Sequence, residues 1–297
     1  MTIAYDVLAV YLALAVWGAL LVHGIRARRY RPFLVFGVVI LLALNVRYFI
    51  EGPPAAIAFF IGIYDVFDNL GLGRDEGAPA LATCVDNACT VWGDRYVQHP
   101  SWGVAFHDRF LNAPPLRTNL LYGHIALNSI AFVLLHHQLF RPGVGPARAR
   151  HRLVGRISFA ALTGGTVCAV WLASEHGSVE AYGGSLSTWG FYSMSAFVYA
   201  TAVMGVVSIR RGDTAAHRRW MIRYAGAMWG SFWLFRVLLV VTGPLLRNVD
   251  TLSIQLSIWL SAPLGIAIAE AFRTRWSGPR SVGEADDELA PAPPIVV

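Results

Sequence analysis

The chain has 297 residues, of which 56% are hydrophobic and only 14% are charged. Soluble domains usually carry about 25% charged residues, so this composition excludes an ordinary water-soluble protein and favours a membrane protein. The formal net charge is +6, and no lysine occurs, so every Lys+Arg position is an arginine. The arginines flank apolar segments and form no single basic patch, which excludes nucleic acid as a partner and leaves the lipid bilayer.

Long apolar segments predict the transmembrane helices, each of which needs about 20 mostly apolar residues. Seven segments meet this requirement, and they cover residues 3–25, 33–50, 120–140, 153–175, 189–209, 219–241 and 251–272. The apolar segment 55–67 is too short to span, and it predicts an interfacial or re-entrant helix. The predicted fold class is therefore all-α: a polytopic membrane helix bundle of about seven transmembrane helices, with an outer loop or lid.

Arginines mark alternate connections between these spans, and they predict the orientation of the chain. They are frequent at 26–31, 141–156, 210–223 and 273–280, and sparse in the opposite connections. The positive-inside rule therefore places the N-terminus outside and the C-terminus in the cytoplasm. An Ala- and Gly-rich chain without lysine is typical of a GC-rich bacterium, so the bacterial inner membrane is the expected location.

The spans divide the chain into four predicted parts. Residues 1–67 hold two spans and the short interfacial helix, and residues 68–118 form an extracytoplasmic loop. Residues 119–276 form a five-span helical core, and the Pro- and acid-rich tail 277–297 is expected to be disordered.

The outer loop carries two features of its own. Cys84 and Cys89 lie five residues apart on the oxidising side of the membrane, which predicts a small disulfide loop. The segment 102–110 mixes aromatic residues with His, Asp and Arg. It predicts either an amphipathic helix lying on the membrane surface or a lid over the outer polar residues.

Short motifs recur at the ends of the central spans. They are GHI at His124, HRLVGRI from His151, HRRWMIRY from His217 and the pair Gly183-Gly184. Together they are similar to a family of predicted bacterial multi-pass membrane proteins, the domain of unknown function 2306 (DUF2306). The resemblance covers roughly residues 119–272, and it implies a topology and no particular mechanism. After the HRRWMIRY motif, the spacing of Gly226 and Gly230 predicts close helix packing.

Ionisable groups inside a bilayer are costly, so those near the outer ends of the spans are candidate functional residues. His124 begins the third predicted span, with Asn128 one helical turn below it on the same face. Glu175 ends the fourth span, and Arg236 lies roughly 9 Å below the outer surface of the sixth. We predict that His124, Arg236 and Glu175 line one cavity and act as catalytic residues. The alternatives are a snorkelling Arg236 and a His124 that only joins two helices.

A second layer of polar residues lies near the predicted cytoplasmic boundary. Its members are His23, His136, His137, His151, His217, Arg156, Arg223 and Glu270. For Arg156 and Arg223, the alternatives are a charged interface that fixes topology and a pocket that binds an anion or a lipid head group.

Haem b is the cofactor that this histidine content suggests, because its iron takes two axial histidines from facing helices. The candidate pairs are His124 with His176 near the outer surface and His137 with His217 near the inner surface. Ligands for two haems on one helix face should lie about 14 residues apart, whereas His124 and His137 are 13 apart. A two-haem arrangement is therefore disfavoured, and a single haem remains open. No HExxH or other metal-binding motif occurs, so no metal site is predicted.

Three classes of function follow from these residues. The first is a haem-binding membrane redox protein. The second is a membrane-embedded enzyme that acts on a hydrophobic substrate such as a quinone, an isoprenoid or a lipid. The third is a transporter, a sensor or an assembly factor.

Overall fold

A computed structural model describes residues 5–50, 82–85, 88–91, 115–141, 147–174, 184–245 and 250–276. Its helices are α1 (Tyr5–Ala27), α2 (Arg31–Ile50), α3 (Pro115–Phe140), α4 (Arg148–Ala173), α5 (Gly184–Arg210), α6 (Thr214–Trp229), α7 (Phe235–Leu245) and α8 (Asp250–Trp276). A π-helix, Gly230–Leu234, joins α6 to α7, so these three segments form one rod. Counted this way, the described residues form seven helical rods, which match the seven predicted spans.

The helices have the length and composition that a bilayer requires. Among the described residues, five are long and apolar enough to cross a membrane: α2, α3, α4, α5 and Leu252–Arg273 of α8. In α1 the apolar stretch is shorter, Leu12–Ala27, and the π-helix divides the sixth rod into shorter pieces. Large apolar side chains such as Leu12, Phe49 and Trp189 are exposed on the bundle, where lipid covers them. The predicted all-α membrane bundle is confirmed, and its surroundings are a lipid bilayer.

The outer loop contains a short hairpin that the sequence did not predict. Strand β1 (Ala82–Val85) pairs antiparallel with β2 (Ala88–Val91), and the register sets Cys84 opposite Cys89. The disulfide between these cysteines stays a prediction. The interfacial helix 55–67, the lid 102–110 and the tail 277–297 also stay predictions, because these segments lie outside the described residues.

Two antiparallel helix pairs form the centre of the bundle, α3 with α4 and α5 with α6, and α8 packs against both α5 and α6. The main apolar core draws on α2, α3, α4, α5 and α6. Leu41, Phe132, Leu135, Leu162 and Met228 are almost completely buried in it. This core holds the helices that carry the candidate residues at fixed positions.

Close contact between α6 and α8 depends on glycine. A Cβ atom added to Gly226 would collide with the carbonyl of Gly265, and one added to Gly230 would collide with the carbonyl of Ser261. The backbones therefore touch at both positions, and the predicted packing role of the Gly226 and Gly230 spacing is confirmed.

The arginine-rich ends of the helices meet at one end of the bundle. The Tyr30 and Phe272 rings lie 5.7 Å apart, and the Arg31 guanidinium lies 5.3 Å from the centre of the Phe140 ring. Gln138, near the end of α3, donates to the carbonyl of His151, near the start of α4, at 3.0 Å. The start of α2, the end of α3, the start of α4 and the end of α8 thus share one end, as the arginine pattern predicts.

Candidate functional site

Polar side chains from three helices lie near the opposite end of the bundle. We call His124, Asn128, Tyr48 and Arg236 the outer polar cluster. His124 and Asn128 lie on one face of α3, as their spacing predicts: the Asn128 amide nitrogen is 3.0 Å from both the carbonyl oxygen and Nδ1 of His124. The same Nδ1 lies 3.2 Å from the carbonyl oxygen of Gly165 on α4.

The contact between α3 and α4 orients the His124 ring. A Cβ atom at Gly165 would lie 2.7 Å from the Asn128 side chain, so only glycine admits this approach. Nδ1 either accepts from Asn128 or donates to the Gly165 carbonyl, and the two options are the two tautomers of the ring. Nε2 receives no hydrogen bond from any residue that the structure describes. His124 therefore joins two helices through Nδ1, and its Nε2 has no hydrogen-bond partner among the described residues.

Arg236 points into the bundle rather than into lipid. Its guanidinium donates to the carbonyl of Phe232 at 2.6 Å, and the side chain is only half-buried. It interacts electrostatically with Tyr48 on α2 and with His124 on α3. The structure thus places His124 and Arg236 within electrostatic range of each other, whereas Glu175 and His176 lie outside the described residues. That these residues line one cavity stays a prediction.

The π-helix explains where the Arg236 side chain finds its carbonyl partner. A π-helix shifts the backbone hydrogen bond from residue i−4 to residue i−5, and such segments are frequent at functional sites. Here the N–H of Phe235 donates to the carbonyl of Gly230. Arg236 follows directly after the segment and bonds the carbonyl of Phe232 inside it.

Tyr48 is the member of the cluster that the sequence prediction missed. It packs beside the buried residues Leu121, Ile125 and Leu172 and interacts electrostatically with Arg236. The available signal was its spacing: Tyr48 lies three residues after Asn45, hence on the same face of α2. Asn45 itself is buried and donates to the Ser129 hydroxyl at 2.8 Å. Asn45 is thus occupied in holding α2 against α3.

The charge around Arg236 is unbalanced within the described residues. Helices α2 to α7 contain no Asp or Glu at all. The two ion pairs between described residues both use Glu270 of α8, which binds Arg223 at 2.5 Å and Arg273 at 2.8 Å. Arg236 therefore faces no carboxylate from helices α2 to α7. A charged group held in this way needs an anionic or strongly accepting partner.

Three histidines from three helices form a second group at the arginine-rich end. We call His137, His151 and His217 the inner histidine cluster. His151 interacts electrostatically with both other rings and lies near the backbone of Arg141. The Nδ1 atom of His217 lies 2.8 Å from the carbonyl of Gly205. The Nδ1 atoms of His137 and His151 are buried and have no hydrogen-bond partner among the described residues.

His136, next to His137 in sequence, has a structural role. It is 4% exposed, its Nδ1 donates to the carbonyl of Phe132 at 2.7 Å, and its Nε2 accepts from the Trp229 indole at 2.8 Å. Both ring nitrogens are occupied, so the ring is neutral and is not available to a ligand. The side chain of its neighbour His137 leaves the helix in a different direction. Its Nδ1 has no hydrogen-bond partner among the described residues.

The two arginines predicted to bind an anion have different surroundings. Arg223 is paired with Glu270, and its guanidinium lies 4.5 Å from the centre of the Trp220 ring. Glu270 also pairs with Arg273, so the two arginines share one carboxylate, and the anion-binding role of Arg223 stays a prediction. Arg156 is exposed on α4 and has no partner among the described residues. The inner histidines are a better-formed polar group than these arginines.

No group of three or more His, Cys, Asp or Glu side chains in the described part of the chain has the arrangement that holds a metal ion.

In a comparison with known proteins, the model of a family described as predicted membrane protein (DUF2306) matches residues 121–272, slightly more than half of the chain. No curated protein and no solved structure matches. The matched region contains His124, Arg236 and the inner histidine cluster.

Proposed function

The chain belongs to the DUF2306 family of predicted membrane proteins, and we propose that its outer polar cluster binds a hydrophobic molecule of the quinone class that enters from the bilayer. The observation that carries this proposal is Arg236, a cation directed into the bundle that faces no carboxylate among the described residues. This function corresponds to a membrane-embedded enzyme acting on a hydrophobic substrate.

The chemistry of a quinone suits the three side chains. A quinone carries carbonyl oxygens that accept hydrogen bonds and become anionic on reduction, and a guanidinium stabilises such an oxygen strongly. The Nε2 atom of His124 and the hydroxyl of Tyr48 are groups that exchange protons. We assign Arg236 to hold one quinone oxygen and His124 to exchange a proton with it. The apolar remainder of the molecule needs no polar partner, because lipid and the apolar helix faces surround it.

The direct test is equilibrium binding of radiolabelled decylubiquinone to the full-length protein in nanodiscs. Arg236→Gln removes the charge and keeps a hydrogen-bond donor, and Arg236→Lys keeps the charge. A hydrogen bond to a charged group contributes about 1.5–3 kcal/mol, so Arg236→Gln should weaken binding about 10- to 100-fold. Arg236→Lys should lose less. Arg210→Gln, at the exposed inner end of α5, is the matched control and should bind like the wild type.

Two results overturn the proposal. One is folded Arg236→Gln protein that binds decylubiquinone as tightly as the wild type. The other is wild-type protein that binds no more of the quinone than empty nanodiscs do. Glu175 remains the proposed third member of the site, and Glu175→Gln should then change quinone turnover or affinity in folded protein.

Haem b is a second candidate. What favours it is that His124 and His217 each hold Nδ1 against a backbone carbonyl, at 3.2 and 2.8 Å. This contact orients histidine ligands so that Nε2 faces the metal. The partners proposed from the sequence are His176 for His124 and His137 for His217; the Nδ1 of His137 lacks such a contact within the described structure. An absorption spectrum of purified protein tests the idea: a Soret band supports haem, and its absence from protein produced with haem supplied rejects it.

We also propose that the chain lies in the bacterial inner membrane with its N-terminus outside. The arginine-rich helix ends share one end of the bundle, and the positive-inside rule assigns that end to the cytoplasm. The outer polar cluster then lies toward the outer surface, and the inner histidine cluster lies toward the cytoplasm.

A further inference from the structure

The inner histidine cluster has two features that the proposed quinone site does not use. Its rings come from the end of α3, the start of α4 and the start of α6, and His151 interacts electrostatically with the other two. The Nδ1 atoms of His137 and His151 are buried and have no partner among the described residues. A buried polar atom without a partner costs about 1–3 kcal/mol, so its retention calls for an explanation.

The charges around the cluster select the partner. Helices α3, α4, α5 and α6 carry no Asp or Glu. The nearest acidic residue along the chain, Asp213, caps α6 by accepting from the N–H of Ala216 at 2.7 Å. Glu270 is engaged by Arg223 and Arg273. The connection between α3 and α4 carries arginines, including Arg141, whose backbone reaches the His151 ring. The field at this end is therefore positive and holds no available carboxylate in the described structure.

A metal ion does not fit this field, because the described residues offer no group of three ligands in a suitable arrangement. A cation would also meet only positive neighbours. An oxyanion fits both features, since its oxygens accept hydrogen bonds from ring N–H groups and its charge offsets the repulsion among protonated rings.

We infer that the inner histidine cluster binds a phosphate-type oxyanion at the arginine-rich end of the bundle, with His137 and His151 donating through Nδ1. Nδ1 of His217 is directed to the Gly205 carbonyl, so this ring contributes through Nε2 or through its charge. The phosphate comes either from a phospholipid head group at the membrane surface or from a free phosphate compound. This inference is independent of the quinone proposal.

Binding is coupled to protonation, and the sign follows from the chemistry. A protonated imidazole is a cation that donates from both ring nitrogens, whereas a neutral imidazole is uncharged and donates from only one. Only the protonated rings both donate through Nδ1 and attract an anion. Phosphate should therefore bind more tightly at pH 6 than at pH 8.

The experiment is thermal unfolding of the full chain in neutral detergent at pH 6 and pH 8. Inorganic phosphate is added in one series, and short-chain phosphatidylglycerol in the other. Saturation about tenfold above Kd should raise the Tm of the wild type by about 2–4 °C at pH 6. The rise should be much smaller at pH 8. A response to both probes, or to one alone, supports the site and identifies the source of the phosphate.

Variants separate the site from general effects of salt. His151→Gln should lose the response at pH 6, and His137→Gln tests the same site if His151→Gln does not fold. His23→Gln is the control, because His23 is exposed on α1. Chloride at matched ionic strength should have little effect.

Three results overturn the inference: an unchanged response in folded His151→Gln, an equal response at pH 6 and pH 8, or the same shift with chloride. A Soret band that is lost in His137→Gln would also overturn it, because haem would then occupy the rings. Arg236→Gln should keep the phosphate response, so failure of the quinone proposal remains distinguishable.

Discussion

The hydrogen bond between His136 and Trp229 is the best-defined buried polar contact between α3 and α6, and removing it gives a quantitative prediction. Trp229 donates to Nε2 at 2.8 Å, and the other ring nitrogen is fixed by the Phe132 carbonyl at 2.7 Å. His136→Phe keeps the ring near Phe132, whose centroid is 4.4 Å from that of His136. The substitution leaves the Trp229 N–H unpaired.

The expected size follows from measured bonds in membrane helices. An unpaired buried donor costs about 1–3 kcal/mol, and couplings between hydrogen-bonded side chains in a membrane protein average about 0.6 and reach about 1.7 kcal/mol. His136→Phe and Trp229→Phe should therefore each lower the free energy of unfolding by about 1–3 kcal/mol. The double variant should lose less than the sum of the two, by about 1 kcal/mol, because it leaves neither partner unsatisfied.

The assay is reversible unfolding in mixed micelles of detergent and sodium dodecyl sulfate, followed by circular dichroism for all four proteins of the cycle. Trp189→Phe is the control for losing an indole, since Trp189 is 64% exposed. It should change stability by less than about 0.5 kcal/mol. If the two single losses simply add, the described hydrogen bond does not stabilise the bundle.

Three further predictions concern packing, the outer loop and topology. Gly230→Ala should destabilise by about 1–3 kcal/mol because its Cβ collides with α8, whereas Gly18→Ala, with open space around it, should be neutral or slightly stabilising in the same unfolding assay. Cys84 and Cys89, opposite in register, should be linked in non-reducing mass mapping. Cys84→Ser should then cost less than about 3 kcal/mol, and a free Cys84 thiol in exported protein would reject the bond. Reporter fusions in the loop between α2 and α3 and after α8 should localise to opposite sides, and equal localisation would refute the predicted topology.

Hydropathy and spacing within one helix were sufficient to predict much of this structure. The predicted span 33–50 became Arg31–Ile50, and 189–209 became Gly184–Arg210. The helices extend past the predicted ends because polar residues outside the hydrocarbon region continue the helical hydrogen bonding. The contact between His124 and Asn128 was also predictable, since residues four apart share a helix face.

What the sequence could not supply is the rotation of each helix and its irregularities. Depth follows from counting residues, but the direction in which a side chain faces depends on neighbouring helices. Tyr48 was therefore missed, although it shares a face of α2 with the polar residue Asn45. The π-helix before Arg236 has no hydropathy signal, since inserting one residue into a helical turn does not change composition. His136 and His137 looked equivalent, and only packing against Trp229 separates the structural ring from the unpaired one.

The two clusters differ in how they depend on pH, and this difference follows from their residue types. Arg236 keeps its charge at any physiological pH, whereas a histidine ring is a cation only when both of its nitrogens carry protons. Helices α2 to α7 supply no carboxylate to either cluster, so within these helices nothing offsets the charge of Arg236 or of a protonated ring. The charge that Arg236 supplies to the outer site should therefore stay constant between pH 6 and pH 8, and any change in quinone affinity there has to come from His124. The inner site should release its oxyanion over the same interval, so that occupancy at the two ends of the bundle responds separately to the proton concentration.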